Sequence, residues 1–241
     1  MNASDISQTF EENFALRGEV GASISIWKEG SEILALSGGF QDKEKLRPWC
    51  SGTPVLVWSA TKGLAAACLL HAMEASRVNP ETLVSKLWPK FAQAGKGNVT
   101  LRMLLEHQAG LCALDSSPPV EDWDAVKHSL EIQAPAWTPG SCHGYHPRTF
   151  GFLVDNVLRK ITDVESLSAY WRSVFAAPLQ LDFWIGVPET ILPLVAPVFG
   201  PKGLMAKSDA FFSAFMTPGS LTSRSFASPK GLHSAGAMNT R

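Results

Sequence analysis

Apolar positions recur at helical spacing near the amino terminus, where Ile6, Phe10 and Phe14 share one face of a segment running to about Leu16. Ser4 is the expected N-cap and Gly18 the expected stop. The period then changes to two. Ala22, Ile24 and Ile26 alternate with Ser23 and Ser25 over Val20 to Trp27, Lys28-Glu29-Gly30-Ser31 reads as a turn, and Glu32 to Leu36 reads as the returning strand. From Leu64 to Met73 the chain is apolar on nearly every helical face, which predicts a helix buried all round. Asn79-Pro80 ends that helix.

Further helices are expected at Thr82 to Leu87, at Leu101 to His107 with Thr100 as cap and Gly110 as stop, and over Asp122 to Gln133, Thr149 to Ile161 and Ser166 to Phe175. Ser116-Ser117-Pro118-Pro119 is a loop, and residues 176–241 are too rich in Pro, Gly and Ser to assign elements. Two strands make a marginal sheet, so the hairpin must lie on helices or pair with strands not visible in this pattern.

Bulk properties narrow the classes. A chain of 241 residues fits a single domain over 1–241 and can bury about 70–75% of its unfolded surface. Its 45% hydrophobic and 18% charged content argues for a globular protein, and a net charge of −1 gives no reason to expect nucleic acid or an anionic membrane. No apolar run approaches the ~20 residues a membrane span needs, and Met1 to Ile6 lacks an export-signal pattern, so a cytoplasmic location is expected. Cys50, Cys68, Cys112 and Cys142 are scattered and suggest no disulfide framework.

Candidate chemistry centres on Trp58-Ser59-Ala60-Thr61-Lys62-Gly63, at the head of the apolar helix. A serine there meets free N–H groups and the positive end of the helix dipole. Lys62, three residues on, lies on the same face and can reach the hydroxyl. Serine with a lysine that can shed its proton is one way to build an activated nucleophile. The alternative is an N-cap serine beside a solvated lysine. Cys142, His143 and His146 form a second cluster that would suit a metal-dependent hydrolase if further ligands joined them. His107, before a helix-ending glycine, reads as a structural hydrogen-bonding residue, and Trp123, Trp137, Trp171 and Trp184 read as packing, with Trp137 near enough to the Tyr145 loop to border a cleft.

Three linked stretches resemble the serine β-lactamase and penicillin-binding-protein superfamily, in its esterase-type, family VIII carboxylesterase-like branch. They are Ser59-Ala60-Thr61-Lys62, then Trp88-Pro89-Lys90-Phe91 with Gly95-Lys96 and Val99 to Leu111, then Pro139-Gly140 with Gly144-Tyr145-His146-Pro147. The resemblance implies an α/β (α+β) β-lactamase-like fold and hydrolysis of an ester, lactam or amide through an acyl-enzyme on Ser59. Lys62 would be the base, Tyr145 would share the proton, and the Ser59 N–H would be one oxyanion donor; no cofactor and no metal are implied. Tyr145-His146-Pro147 departs from the usual Tyr-x-Asn or Tyr-x-Ser in having Pro147 at the third position. The family's third motif, a Lys-Thr-Gly or His-x-Gly strand, has only weak imitations at Pro201-Lys202-Gly203 and Pro229-Lys230-Gly231-Leu232-His233. The expectation is therefore a truncated member without the C-terminal strands and closing helix, binding a small-molecule ester or lactam. It is either active or a catalytically impaired remnant, acting as an oligomer or with a completing chain.

Overall fold

The computed structural model describes residues 2–200, 210–231, 234 and 237, and these fall into two compact units. The first comprises the residues up to 56 together with 188–199. It opens with helix α1 (Ala3–Leu16), capped by Asn2 rather than Ser4: Asn2 Oδ1 accepts from Asp5 N at 2.9 Å, and Asp5 Oδ2 accepts from Asn2 N at 3.1 Å. That reciprocal box satisfies two amides that a lone serine would leave open. Strands β1 (Gly21–Lys28) and β2 (Ser31–Gly39) form the expected antiparallel hairpin, with Ile24 opposite Leu36 and Ile26 opposite Leu34. Glu29 and Gly30 turn the chain, both in the left-handed region. Phe14 of α1 fits against Gly39 so closely that a Cβ there would lie 2.7 Å from its ring, and only glycine serves.

The second unit, residues 57–187 with the described part of 200–240, is helical and holds the large core. Helix α2 (Thr61–Ala75) buries Ala65, Cys68, Leu69, Ala72 and Met73, a single stripe at helical spacing. Burial all round is thus corrected: Leu70 is 49% exposed, because apolar neighbours pack on one side only. Short helices α3 (Val84–Leu87) and α4 (Leu101–Leu105) follow. Thr100 caps α4 as expected, accepting from Met103 N at 3.2 Å. Helix α5 (Trp123–Ile132) is capped by Asp122, and α6 (Phe150–Thr162) packs its apolar face along α2. Helix α7 (Leu167–Trp171) runs into a wide turn over Arg172–Ala176, and α8 (Ala210–Met216) and α9 (Leu221–Ala227) lie in the stretch whose pattern was unreadable. Among the described residues no helix is long and apolar enough to cross a membrane.

Two buried polar groups hold this unit's loops. Lys96 is fully buried, and its Nζ donates to the carbonyls of Gln93 at 2.9 Å, Glu131 at 3.1 Å and Gln133. Three donors meet three acceptors, which is what a buried ammonium needs. Burial still presses its pKa down to about 8.

His146 is 1% exposed. Its Nε2 accepts from Leu111 N at 3.0 Å, so Nδ1 carries the proton and donates to the Gly144 carbonyl at 2.6 Å. His107 Nδ1 accepts from His146 N at 3.1 Å, and the His107 carbonyl accepts from Gly144 N at 3.1 Å. The chain before Gly110 and the chain around Tyr145 are laced together by two neutral histidines. Burial pushes both below the usual imidazole range, His146 to about 4, and the nearby Lys62 charge pushes the same way on His107.

Removing the Lys96 ammonium orphans three carbonyls, so Lys96→Met is expected to lose about 2–4 kcal/mol of stability in urea titrations. For His146, the unfolded chain takes up its proton near pH 6.5 and the folded chain only near pH 4. The stability contributed by neutral His146 is therefore complete above about pH 6.5 and falls as pH drops towards 4. Melting temperatures should show the gap between wild type and His146→Gln narrowing over that window.

Candidate active site

The Ser59–Lys62 pair is built by the sharp entry into α2. Trp58–Ala60 form a single tight turn, with Trp58 at φ 52, a left-handed conformation that a non-glycine residue adopts only when its surroundings enforce it. Ala60, not Ser59, occupies the cap position, and it makes no side-chain cap. Ser59 is consequently free of capping duty. It stands exposed, one turn ahead of Lys62, whose Nζ donates to Ser59 Oγ at 3.0 Å.

Lys62 has a second partner that the sequence did not reveal. Its Nζ also donates to the Pro147 carbonyl at 2.7 Å, across 85 positions. Pro147 has no side-chain donor to offer; what it contributes is an acceptor on the main chain. The Tyr145 ring lies beneath the same nitrogen, with Nζ 5.0 Å from its centroid. This is cation–π geometry. Tyr145 is 45% exposed, and its hydroxyl makes no hydrogen bond to Ser59 or Lys62. The structure thus brings Ser59, Lys62 and Tyr145 together, with the tyrosine presenting its face rather than its oxygen to the lysine.

The loop carrying Tyr145 has little slack. Gly144 packs on Trp137 so tightly that a Cβ would fall 2.6 Å from the indole, and Trp137 Nε1 donates to the Gln108 carbonyl at 3.3 Å. Trp137 thus packs against the Tyr145 loop, near which its position in sequence had placed it. The His107 ring packs against Tyr145 at a tilt of 57°, their centroids 5.1 Å apart.

The metal reading of Cys142, His143 and His146 is corrected by the same contacts. Both His146 ring nitrogens are taken by the main chain in a buried setting. Among the described residues no three His, Cys, Asp or Glu side chains converge as ligands. Of the weak third-motif imitations, Pro201-Lys202-Gly203 and the Leu232-His233 end of the other lie outside the described residues. Lys230 makes one isolated parallel bridge to Pro119 rather than a strand of a sheet.

Similarity to known proteins accords with this arrangement. The chain is 28% identical to the esterase/beta-lactamase LipL of Mycobacterium tuberculosis over 208 residues, 84% of this chain and 48% of that protein. A penicillin-binding-protein homologue from Caulobacter crescentus superposes with a TM-score of 0.79 at 34% identity, over 89% of this chain and 59% of the other. A family VIII carboxylesterase superposes with a TM-score of 0.75 at 34% identity, over 81% and 55% respectively. The chain therefore spans about half to three-fifths of the length of these relatives. The Beta-lactamase family description matches residues 6–216, which takes in the hairpin, the Ser59–Lys62 turn and the Tyr145 loop, and the chain belongs to that family.

Proposed function

We propose that this chain carries the nucleophile of a serine hydrolase that cleaves a small carboxylic ester through an acyl-enzyme on Ser59. The observation that carries the reading is the 3.0 Å contact between Lys62 Nζ and Ser59 Oγ, with Nζ held in place by the Pro147 carbonyl. With its amine neutral, Lys62 accepts the Ser59 proton as Oγ bonds to the carbonyl carbon. The tetrahedral oxyanion meets the Ser59 N–H, and the proton passes to the departing alkoxide as the ester C–O bond breaks. Water then adds to the acyl-enzyme by the same route in reverse, releasing the acid and restoring the serine. Tyr145 places its ring face beneath the same nitrogen, a contact that helps to hold Lys62 in position. Likeness to a family VIII carboxylesterase at 34% identity supports ester over lactam as substrate.

A second reading, in which the chain binds ligands or a completing chain without turnover, has one observation on its side: the Tyr145 hydroxyl is not bonded to either partner. One experiment separates them. Intact-mass analysis with a fluorophosphonate probe should give a single adduct on Ser59, none in Ser59→Ala, and labelling slowed about 10²–10⁴-fold in Lys62→Ala. Folded wild-type protein that takes no label would overturn the hydrolase reading.

Tyr145→Phe keeps the ring and removes the hydroxyl. If the ring face is the working part, its labelling rate should stay within about threefold of wild type, whereas loss of a proton-transfer group would cost ~10²-fold or more. Stopped-time labelling of the two proteins side by side measures the difference.

A further inference from the structure

The Pro147 carbonyl that receives Lys62 belongs to the planar peptide joining Pro147 to Arg148, so whatever fixes Arg148 also fixes the direction of that carbonyl. The residues on either side of this peptide are fastened to one stretch, 107–111. His146 bonds to His107 Nδ1 and to Leu111 N, and Thr149 Oγ1 donates to the Leu111 carbonyl at 2.7 Å. Attachment to one stretch is a hinge, about which the peptide between can still rock. The Arg148 side chain supplies a second, distant point of attachment. Its Nη1 donates to the Phe226 carbonyl at 3.3 Å and its Nη2 to the Gly231 carbonyl, across 78 and 83 positions.

That distant point is itself held. Ser228 is buried, and its Oγ accepts from Leu114 N at 3.2 Å. Lys230 N donates to the Pro118 carbonyl at 2.8 Å, and the Lys230 carbonyl accepts from Val120 N at 2.7 Å. Pro229-Lys230-Gly231, which in sequence only imitates a third motif, is thus a brace bonded to the loop over 114–120. A guanidinium suits the bridge, because its rigid fork bonds two carbonyls at fixed angles where an ammonium would swivel. Arg148 is half-buried; burial works against its charge and Glu121 works for it. Arg148 also lines a cavity of roughly 360 Å³ beside Lys62, together with Trp58, Trp123 and Phe150.

We propose that Arg148 is a positioning residue: clamped by the Phe226 and Gly231 carbonyls, it holds the Pro147 carbonyl on Lys62 Nζ and so keeps the lysine on Ser59. It touches neither Ser59 nor Lys62 by a hydrogen bond and acts through the peptide it shares with Pro147. That this holding serves a reaction rests on the hydrolase reading above. The holding itself does not, because the order of the Lys62 side chain can be measured without turnover.

The test uses Arg148→Met, which keeps a long side chain on the cavity wall and removes every donor. NMR relaxation of protein carrying [¹³Cε]lysine reads the order of each lysine side chain on the ps–ns timescale, the Lys62 signal being the one lost in Lys62→Arg. Arg148→Met should lower the squared order parameter of Lys62 by at least a third and leave that of buried Lys96, in the same unit, unchanged. Fluorophosphonate labelling of Ser59 should slow at least tenfold in Arg148→Met, yet change by less than twofold when the same substitution is made in Lys62→Ala, since the effect runs through the lysine. Arg148→Lys, able to reach one carbonyl, should fall between wild type and Arg148→Met in both measurements. A Lys62 as ordered in Arg148→Met as in wild type would overturn the proposal, and so would Lys62 and Lys96 loosening together. Equal slowing with and without Lys62 would place Arg148 in probe binding at the cavity instead, and overturn it too. Should Arg148→Met fail to fold by circular dichroism, Gly231→Ala decides in its place: φ there is 107° and a Cβ would lie 3.1 Å from Val120 Cγ1, so the substitution shifts the acceptor carbonyl without altering Arg148. If wild type takes no label, the reaction is refuted and the Lys62 order parameters alone decide whether Arg148 holds the nitrogen.

Discussion

The site depends on one nitrogen being held from two directions. Lys62 Nζ reaches Ser59 Oγ one helical turn back and the Pro147 carbonyl in a loop 85 positions on. Neither bond alone would fix it, since a lysine has four rotatable bonds and loses about 2 kcal/mol of rotamer entropy when ordered. The first is local and comes with the α2 entry turn. The second is long-range and exists only because the Tyr145 loop is itself held by Leu111, His107 and Trp137. Rigidity is thus passed along the chain of contacts, from two neutral histidines to a loop, from the loop carbonyl to the lysine, and from the lysine to the serine.

The polar groups in this frame follow one rule. Lys96 finds three carbonyls for its three donors, and His146 and His107 are kept neutral so that each can accept a backbone N–H. Asp155 is the looser case: its Oδ1 accepts from Leu167 N at 2.7 Å, and its buried Oδ2 is balanced by the Arg159 guanidinium at 3.5 Å.

Much of this was legible in the sequence, and the gaps have physical causes. Period-two alternation gave the hairpin and its turn, and Thr100, Asp122 and Ser166 marked their helix starts because capping is a short-range bond. The cap of α1 was missed because Asn2 and Asp5 cap each other, a pairing that Ser4 in the same stretch obscured. Helix α2 looked buried on all sides because its outward positions are also apolar; a pattern records hydrophobicity, and burial depends on what packs alongside. Ser59 and Lys62 could be paired from spacing alone. The Pro147 carbonyl could not, since every residue has one. Trp123 reads as packing in the sequence and proves to line the cavity.

The use of a main-chain carbonyl at Pro147 has an evolutionary corollary. A side-chain contact ties function to residue identity, whereas a carbonyl is supplied by all twenty amino acids. Position 147 can drift so long as the loop's path is kept, and proline, with its fixed φ, keeps that path well. The selective burden moves instead to residues that shape the path. Gly144 admits no side chain against Trp137, and His146 must offer both ring nitrogens inward. In a library of variants, tolerance should therefore run opposite to proximity, with the residue touching Lys62 freer to change than the glycine three places before it.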